Sequence, residues 1–427
     1  MMTFLYQVFL GFLALISLPR MLYMRVRYDK YKNSFLQRFG KDFPTITKGD
    51  RFLVWIHAVS VGEARAIAAL AKLIKNAFPD CLMIFSSITE TGHAEAKRSL
   101  PFADYHVYLP FDFNCIVQRI IEQSPPDLLL FSETDFWYNF MNNAKKHGAK
   151  IAVANGKLSN RSLERFLMAP WFARRLFSLV DLFCVQTPIY KEHFERIGVL
   201  PAKVILTGNM KLDDEPVKLS AEELIAWKKD LGIDPQDTIL VIGSSHDPEE
   251  KLLLDICLKI WPRFPNLKVL LVPRHPERFD EVEGLLQNRE IPYVRYSHAG
   301  VRKGNEKVIL VDTMGILKKC YQLADIALVA GSYTQRIGGH NVIEPCWFGK
   351  PVLFGPYMHT QADLVAFINH YHAGKQVPIE QLEAELCTLL SDPNARRMLS
   401  ENGLRLTQGV RGSTEKTWQT LQMLLNE

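Results

Sequence analysis

Two short stretches hold the residue types best suited to chemistry. His57-Ala58-Val59-Ser60-Val61-Gly62-Glu63 follows an apolar run, and Gly338-Gly339-His340-Asn341-Val342-Ile343-Glu344 reads as the opening of a later helix. Each sets glycine and a lone carboxylate at an expected strand-to-helix turn, where helix-terminal amides meet anions and a carboxylate meets a sugar hydroxyl. In the first turn of its helix Glu63 is kept ionised by the helix dipole, which suits it to take a proton from a hydroxyl. A glutamate that merely improves its own helix fits that single position equally well.

Other polar groups recur after apolar runs. Thr89-Glu90-Thr91-Gly92 and Ser132-Glu133-Thr134-Asp135 follow two of them, and Asn155-Gly156-Lys157 with Arg161 brings cations to a third. Glu133 and Asp135 fit a second carboxylate pair, although loop acids are by default solvated. In the second half Ser244-Ser245-His246 and Arg274-His275-Pro276-Glu277-Arg278 stand in the same positions. Arg274 suits a phosphate or a base, whereas Arg278 reads as the partner of a nearby acid. Glycines 338 and 339 let backbone amides approach a phosphate, and Glu344 can accept from a ribose. His246 and His340 are isolated in sequence, with no metal-ligand spacing, so no metal is expected.

The elements that position these groups alternate. Apolar runs at 52–56, 82–85, 127–131, 151–154 and 182–185 read as strands separated by helical patterns, and the rhythm restarts at 238–242, 268–272, 308–311, 326–329 and 352–354. Such alternation implies parallel sheets covered on both faces. The expected architecture is α/β, two doubly wound Rossmann-like domains facing a cleft. Expected boundaries are a membrane anchor at 1–22, an N-terminal domain at 23–206, a C-terminal domain at 207–412 and a terminal helix at 413–427 that Ser413 caps.

With 427 residues, 48% hydrophobic and 23% charged, the chain is globular and too long for one ordinary core. The net charge of +5 is spread without basic runs, and no nucleic-acid motif is present. Seven scattered cysteines without a C-x-x-C pair exclude a zinc framework and fit a reducing compartment. Residues 4–18 are almost wholly apolar and precede Arg25, Arg27, Lys30, Lys32 and Arg38. That pattern reads as a short spanning or interfacial anchor that keeps the remainder on the cytoplasmic side.

Over nearly its whole length the sequence resembles the Kdo transferases, which move 3-deoxy-D-manno-oct-2-ulosonic acid from CMP-Kdo onto lipid A precursors. The resemblance rests on the ordered stretches 57–63, 89–92, 133–137, 155–161, 208–213, 244–250, 273–278, 312–315 and 338–344. It implies a fold of the GT-B type, with an N-terminal acceptor half and a C-terminal CMP-Kdo half, and a metal-independent inverting glycosyltransferase of lipopolysaccharide synthesis at the inner membrane, without a cofactor, acting on lipid IVA and adding one Kdo or more. Its partners would be CMP-Kdo, the lipid A precursor and membrane lipids, with no nucleic acid. By that resemblance Glu63 is the general base. Arg274, Met314, Gly315, Gly338, Gly339, His340, Asn341 and Glu344 would hold the donor, with Ser244 and Lys211 as neighbours. Ser60, Gly62, Thr89, Gly92, Glu133, Lys157 and Arg161 would serve the acceptor side. Tyr138 stands where the family has Pro, Ile316 where it has Glu and Thr360 where it has Asn. A nucleotide-sugar epimerase of the same architecture and a non-catalytic, membrane-tethered sugar or lipid-phosphate binding protein are the competing readings.

Overall fold

Five apolar runs in each half become strands because their side chains are buried on both faces of a parallel sheet. The computed structural model describes residues 2–28, 34–213, 215–298 and 304–426. Two compact units divide it, one of residues 1–214 with 410–427, the other of residues 215–409.

The first unit contains β1 (Leu53–His57), β2 (Leu82–Ser87), β3 (Tyr105–Tyr108), β4 (Leu128–Ser132), β5 (Lys150–Gly156), β6 (Leu182–Val185) and β7 (Val204–Leu206). The second contains β8 (Thr238–Ser245), β9 (Leu267–Pro273), β10 (Tyr293–Arg295), β11 (Val308–Leu310), β12 (Ile326–Val329), β13 (Val352–Phe354) and β14 (Gly374–Gln376). Strand orders are β3-β2-β1-β4-β5-β6-β7 and β10-β11-β9-β8-β12-β13-β14. Every pairing is parallel, as between β1 and β4 or β8 and β12. Trp55, Ile84, Leu129 and Phe131 fill the core on one face of the first sheet, and Val54, Ile56, Phe85 and Leu130 the core on the other.

All ten runs expected from the sequence are strands. The four it did not reveal, β3, β7, β10 and β14, are the four sheet edges. An edge strand is covered on one side only, and β7 (buried only at Val204) and β14 (without a fully buried residue) lack the continuous apolar signal that marks the interior.

Reversal of strand order places a switch point between β1 and β4 in the first unit and between β8 and β12 in the second. Loops at the carboxyl ends of the strands beside such a point are where doubly wound sheets bind ligands.

The terminal helix Ser413–Asn426 packs on the Val61–Ala77 helix and belongs to the first unit. Ser413 lies within that helix, and the cap is Asp213 instead. Its carboxylate accepts from Ser413 N at 3.0 Å and Thr414 N at 2.5 Å, because a full negative charge answers two open amides and the helix dipole together. Asp213→Ala is therefore expected to destabilise the protein by about 1–2 kcal/mol, read as a lower urea midpoint at unchanged slope.

The amino-terminal helix Met2–Tyr28 contains Pro19. Tyr6 donates to Asp112 at 2.9 Å and packs against Tyr138 and Phe172, so the tyrosine at position 138 serves to seat this helix. Val8, Phe12, Leu15 and Ile16 stay exposed. Among the described residues, no helix is long and apolar enough to cross a membrane. Lys30 and Lys32 of the expected basic flank lie outside the described residues. Arg38 is buried, donating to Leu109 O at 3.1 Å with its guanidinium over Phe111, so it does not face a head group.

Candidate functional site

In the first unit the site grows from the ends of β1, β4 and β5. Ser60 breaks from β1 in an extended conformation and its hydroxyl accepts from Glu63 N, starting the Val61–Ala77 helix. Glu63 returns two contacts, accepting from Val59 N at 2.9 Å and from Ser60 Oγ at 2.9 Å. The same carboxylate thus caps its helix and stands at the switch point. Burial pushes its pKa above the ordinary carboxylate value, and the Glu133 charge adds to that, while the Val59 amide, the Ser60 hydroxyl and Lys211 pull it back. Desolvation outweighs the groups that pull the value down, which makes Glu63 a stronger base than an ordinary glutamate.

Glu133 follows β4 and contacts the Lys211 ammonium directly. Gly62 lies beside the same lysine, since a methyl there would sit 3.9 Å from Lys211 Cε and Nζ. Lys211, grouped from the sequence with the donor residues of the other half, is therefore part of the Glu63 cluster in the first unit. Glu133 and Asn155 both adopt left-handed backbone, at φ 63° and 56°. Such conformations are disfavoured for residues with a side chain and are kept where the surroundings fix them. Here Glu133 N donates to Ala154 O at 3.0 Å and Asn155 Oδ1 accepts from Met210 N at 2.9 Å.

Asp135, read from sequence as a solvated loop acid, is instead bonded to His57 Nε2 at 2.9 Å and Trp137 Nε1 at 2.7 Å. His57 is fully buried and its Nδ1 lies 2.9 Å from Ser86 Oγ. Thr89 and Gly92 sit one layer back. The Thr89 hydroxyl donates to Val59 O at 2.9 Å and accepts from Gly92 N at 3.0 Å, bracing the loop that carries Glu63. Gly92 must lack a side chain, because a methyl there would approach Val59 O to 2.8 Å. Lys157 lies over the Tyr190 ring and Arg161 is exposed on the Asn160–Leu167 helix; neither joins the Glu63 cluster.

In the second unit the ends of β8, β9 and β12 converge. Ser244 is left-handed at φ 59° inside a bulge of β8, which turns the chain toward His246. His246 Nε2 is 2.8 Å from His340 Nε2, with the ring centres 5.1 Å apart and the ring planes 14° apart, so the two rings meet edge to edge and these histidines are partners rather than isolated. Burial first, then neighbouring cations, brings both imidazoles down to about 4. Arg274 is exposed, and its charge acts on His246, His340 and Glu344. Burial raises the Glu344 carboxyl, and Lys318 and Arg274 oppose that rise. Arg278 pairs with Glu250 at 3.2 Å and Glu281 at 2.9 Å. Met314 is half exposed and Gly315 left-handed at φ 84°, in the turn that follows β11.

The helix expected to open at Gly338 does not form. Gly338 and Gly339 both have positive φ, and Pro345 starts only a four-residue 3-10 turn, Pro345–Phe348, which Glu344 precedes without a side-chain cap. Two successive left-handed residues are incompatible with an α-helix, and proline withholds a donor at the first position. Gly339 N donates to Gly331 O at 2.8 Å, so this amide is not available to a phosphate. Thr360 Oγ1 holds Gly338 O at 2.8 Å, Asn341 Oδ1 accepts from Ile343 N at 3.0 Å, and Ile316 precedes the Leu317–Leu323 helix without a side-chain cap.

No group of three His, Cys, Asp or Glu side chains that could hold a metal occurs among the described residues. Reasoning from sequence missed the His57–Asp135–Trp137 chain and the His246–His340 pair. Each joins residues from different strand ends, and knowledge of strand order would have been the signal.

Solved structures similar to the chain share its fold. A glycosyltransferase from Rickettsia africae matches at a TM-score of 0.60 with 15% identity, covering 88% of this chain and 98% of that one. A UDP-GlcNAc 2-epimerase from Neisseria meningitidis matches at 0.60 with 16% identity, covering 88% and 100%. At such identity the likeness establishes GT-B architecture alone. Sequence relatives say more. Residues 33–214 match the family described as 3-deoxy-D-manno-octulosonic-acid transferase (kdotransferase). The transferase of that name from Chlamydophila psittaci is 34% identical over 421 residues, 98% of this chain and 96% of the relative. Its namesake from Haemophilus influenzae is 28% identical over 408 residues, 94% of each. Agreement of that extent, along nearly the full length of both chains, places this protein in the 3-deoxy-D-manno-octulosonic acid transferase family of glycosyltransferases.

Proposed function

We propose that the protein transfers Kdo from CMP-Kdo to a hydroxyl of a lipid A precursor, lipid IVA, with inversion and without a metal. The observation that carries this reading is Glu63, a carboxylate made more basic by burial and fixed at the switch point of a chain in this family. As the acceptor oxygen attacks the sugar carbon, its proton passes to Glu63. The bond from that carbon to the phosphate oxygen breaks, and its electron pair leaves with cytidylate. The sugar carbon is oxocarbenium-like at that moment. Arg274 meets the charge growing on the phosphate, and Glu344 accepts from the ribose hydroxyls. Lys211, tied to Glu133, keeps a positive charge beside Glu63 and favours its ionised form.

The same reading puts the protein on the cytoplasmic face of the inner membrane, where a lipid acceptor resides. Exposed Phe12, Leu15 and Ile16 on the amino-terminal helix support attachment at the interface. Incubation with CMP-Kdo and lipid IVA is expected to release CMP and raise the lipid mass by whole Kdo units, the number added being read from the mass spectrum. CMP release without a mass gain, or no release at all, overturns the proposal. An epimerase would alter the sugar nucleotide without the lipid, and a binding protein would alter neither.

A further inference from the structure

Near its start the amino-terminal helix is seated by Tyr6 against Asp112, Tyr138 and Phe172, and one turn further on a cavity of about 220 Å³ opens between the helix and the body of the first unit. Leu10, Leu13, Ala14 and Ser17 follow one another at helical spacing and form one wall. Phe39, Phe111 and Trp137 stand on the facing wall, where the rings of Phe39 and Phe111 lie 4.9 Å apart. Leu13 and Phe39 are 43% and 37% exposed, so the cavity has a mouth at the surface. Exposed Phe12, Leu15 and Ile16 lie on the opposite side of the same helix, the side read above as meeting the bilayer interface.

The chemistry of the walls decides what fits. Among the described residues the polar side chains at the cavity are Ser17, Asp112 and Trp137, and each already has partners within the protein. Ser17 Oγ donates to Leu13 O at 2.6 Å, and Trp137 Nε1 donates to Asp135 at 2.7 Å. The Asp112 carboxylate accepts from Tyr6 Oη at 2.9 Å and from the amides of Asn139 and Phe140 at 3.0 and 2.8 Å. A space with no unmet polar demand favours hydrocarbon over water. Its volume is below the roughly 300–1,000 Å³ that encloses a compact drug-sized molecule, which suits a single chain rather than a head group. Trp137 also ties the cavity to the Glu63 cluster. Its ring is part of the wall, and its Nε1 shares Asp135 Oδ2 with His57 Nε2. His57 ends β1, and the loop that follows holds Glu63 through Val59 and Ser60.

We propose that this cavity receives one hydrocarbon chain of the lipid acceptor while the sugar of the same molecule lies at Glu63. This rests on the lipid-acceptor reading above. A dry slot and a basic carboxylate, joined through Trp137, Asp135 and His57 beneath an apolar helix face, together match an amphiphile that must react at its polar end. That connection to Glu63 favours the acceptor over bulk phospholipid as the occupant. A chain that leaves the bilayer gains little free energy by entering the protein, because lipid tails are as apolar as leucine. The slot therefore acts through position: a seated chain fixes the depth and direction from which the acceptor hydroxyl approaches Glu63. Leu10, Ala14 and Trp137 are positioning residues in that sense.

Two measurements on the full chain in phosphatidylethanolamine vesicles test this. Trp137 reports occupancy, because bromine on a chain quenches an indole that it touches. A lipid acceptor brominated along its chains is expected to quench a component of the emission that is absent from Trp137→Phe and is no longer quenched in Ala14→Phe, where the larger side chain fills the slot. Brominated phosphatidylethanolamine with an unbrominated acceptor is expected to leave that component unquenched. In transfer assays Ala14→Phe should lower kcat/KM for the lipid by about tenfold or more relative to a water-soluble, chain-free acceptor sugar, the scale of a misplaced reactant. Leu10→Phe fills the slot from the preceding turn and should act alike, and the wild-type quenching stands independently if either variant misfolds. Transfer that proceeds without quenching of Trp137, or variants that lose both acceptors in the same ratio, overturns the slot and leaves the transfer reading standing. Equal quenching by phospholipid chains overturns the acceptor as occupant. Quenching by the acceptor chain with no transfer of Kdo keeps the slot and overturns the transfer reading. Absence of both overturns both.

Discussion

Glu63→Gln is expected to lower turnover by about a thousandfold, the scale of a lost general base, while CMP affinity stays near that of the wild type. The amide keeps the size of the side chain and one acceptor oxygen, so the turn at Val59 and Ser60 loses at most one of its two contacts with residue 63. What disappears is a basic oxygen able to receive the acceptor proton. Steady-state assays on the lipid acceptor, with CMP binding measured in parallel, separate the two effects. Retained turnover rejects Glu63 as the base. The pH profile adds a signed check. Because burial and Glu133 raise the Glu63 carboxyl, kcat/KM should fall on the acid side at a higher pH than an ordinary glutamate would give. Glu133→Gln removes a like charge and should move that limb toward lower pH, whereas Lys211→Met should move it higher.

In the second unit the larger effect is expected at Glu344. Wild-type protein should bind CMP about 10–100-fold more tightly than 2′,3′-dideoxy-CMP, since hydrogen bonds from ribose hydroxyls to a carboxylate contribute about 1.5–3 kcal/mol. Glu344→Ala should bind both nucleotides alike and weakly. The comparison matters because Glu344 also offsets Arg274 and Lys318. Loss of that counter-charge alone would change the affinity for both nucleotides in the same ratio. A variant that still prefers CMP by the wild-type factor would remove Glu344 from ribose recognition.

Sequence by itself determined the doubly wound class, the ten interior strands and the loops that carry chemistry. Those features are local: a strand buried on both faces must be a continuous apolar run, and a helix that follows it must begin with a turn. Glu63, Glu133, Ser244 and Arg274 were legible as strand-end residues for that reason. The turn at Gly338 was misread as a helix because glycine marks both helix starts and left-handed loops, and the backbone angles separate the two. Only the tertiary structure decided which strand ends meet. Placing β1 beside β4 and β8 beside β12 set Glu63 near Glu133 and Lys211, His57 against Asp135, and His246 against His340. Strand order depends on how sheets and crossover helices bury one another across the whole unit, and no short stretch of residues records it. The same holds for proton affinity, which is raised at Glu63 by desolvation that exists only once the chain has folded.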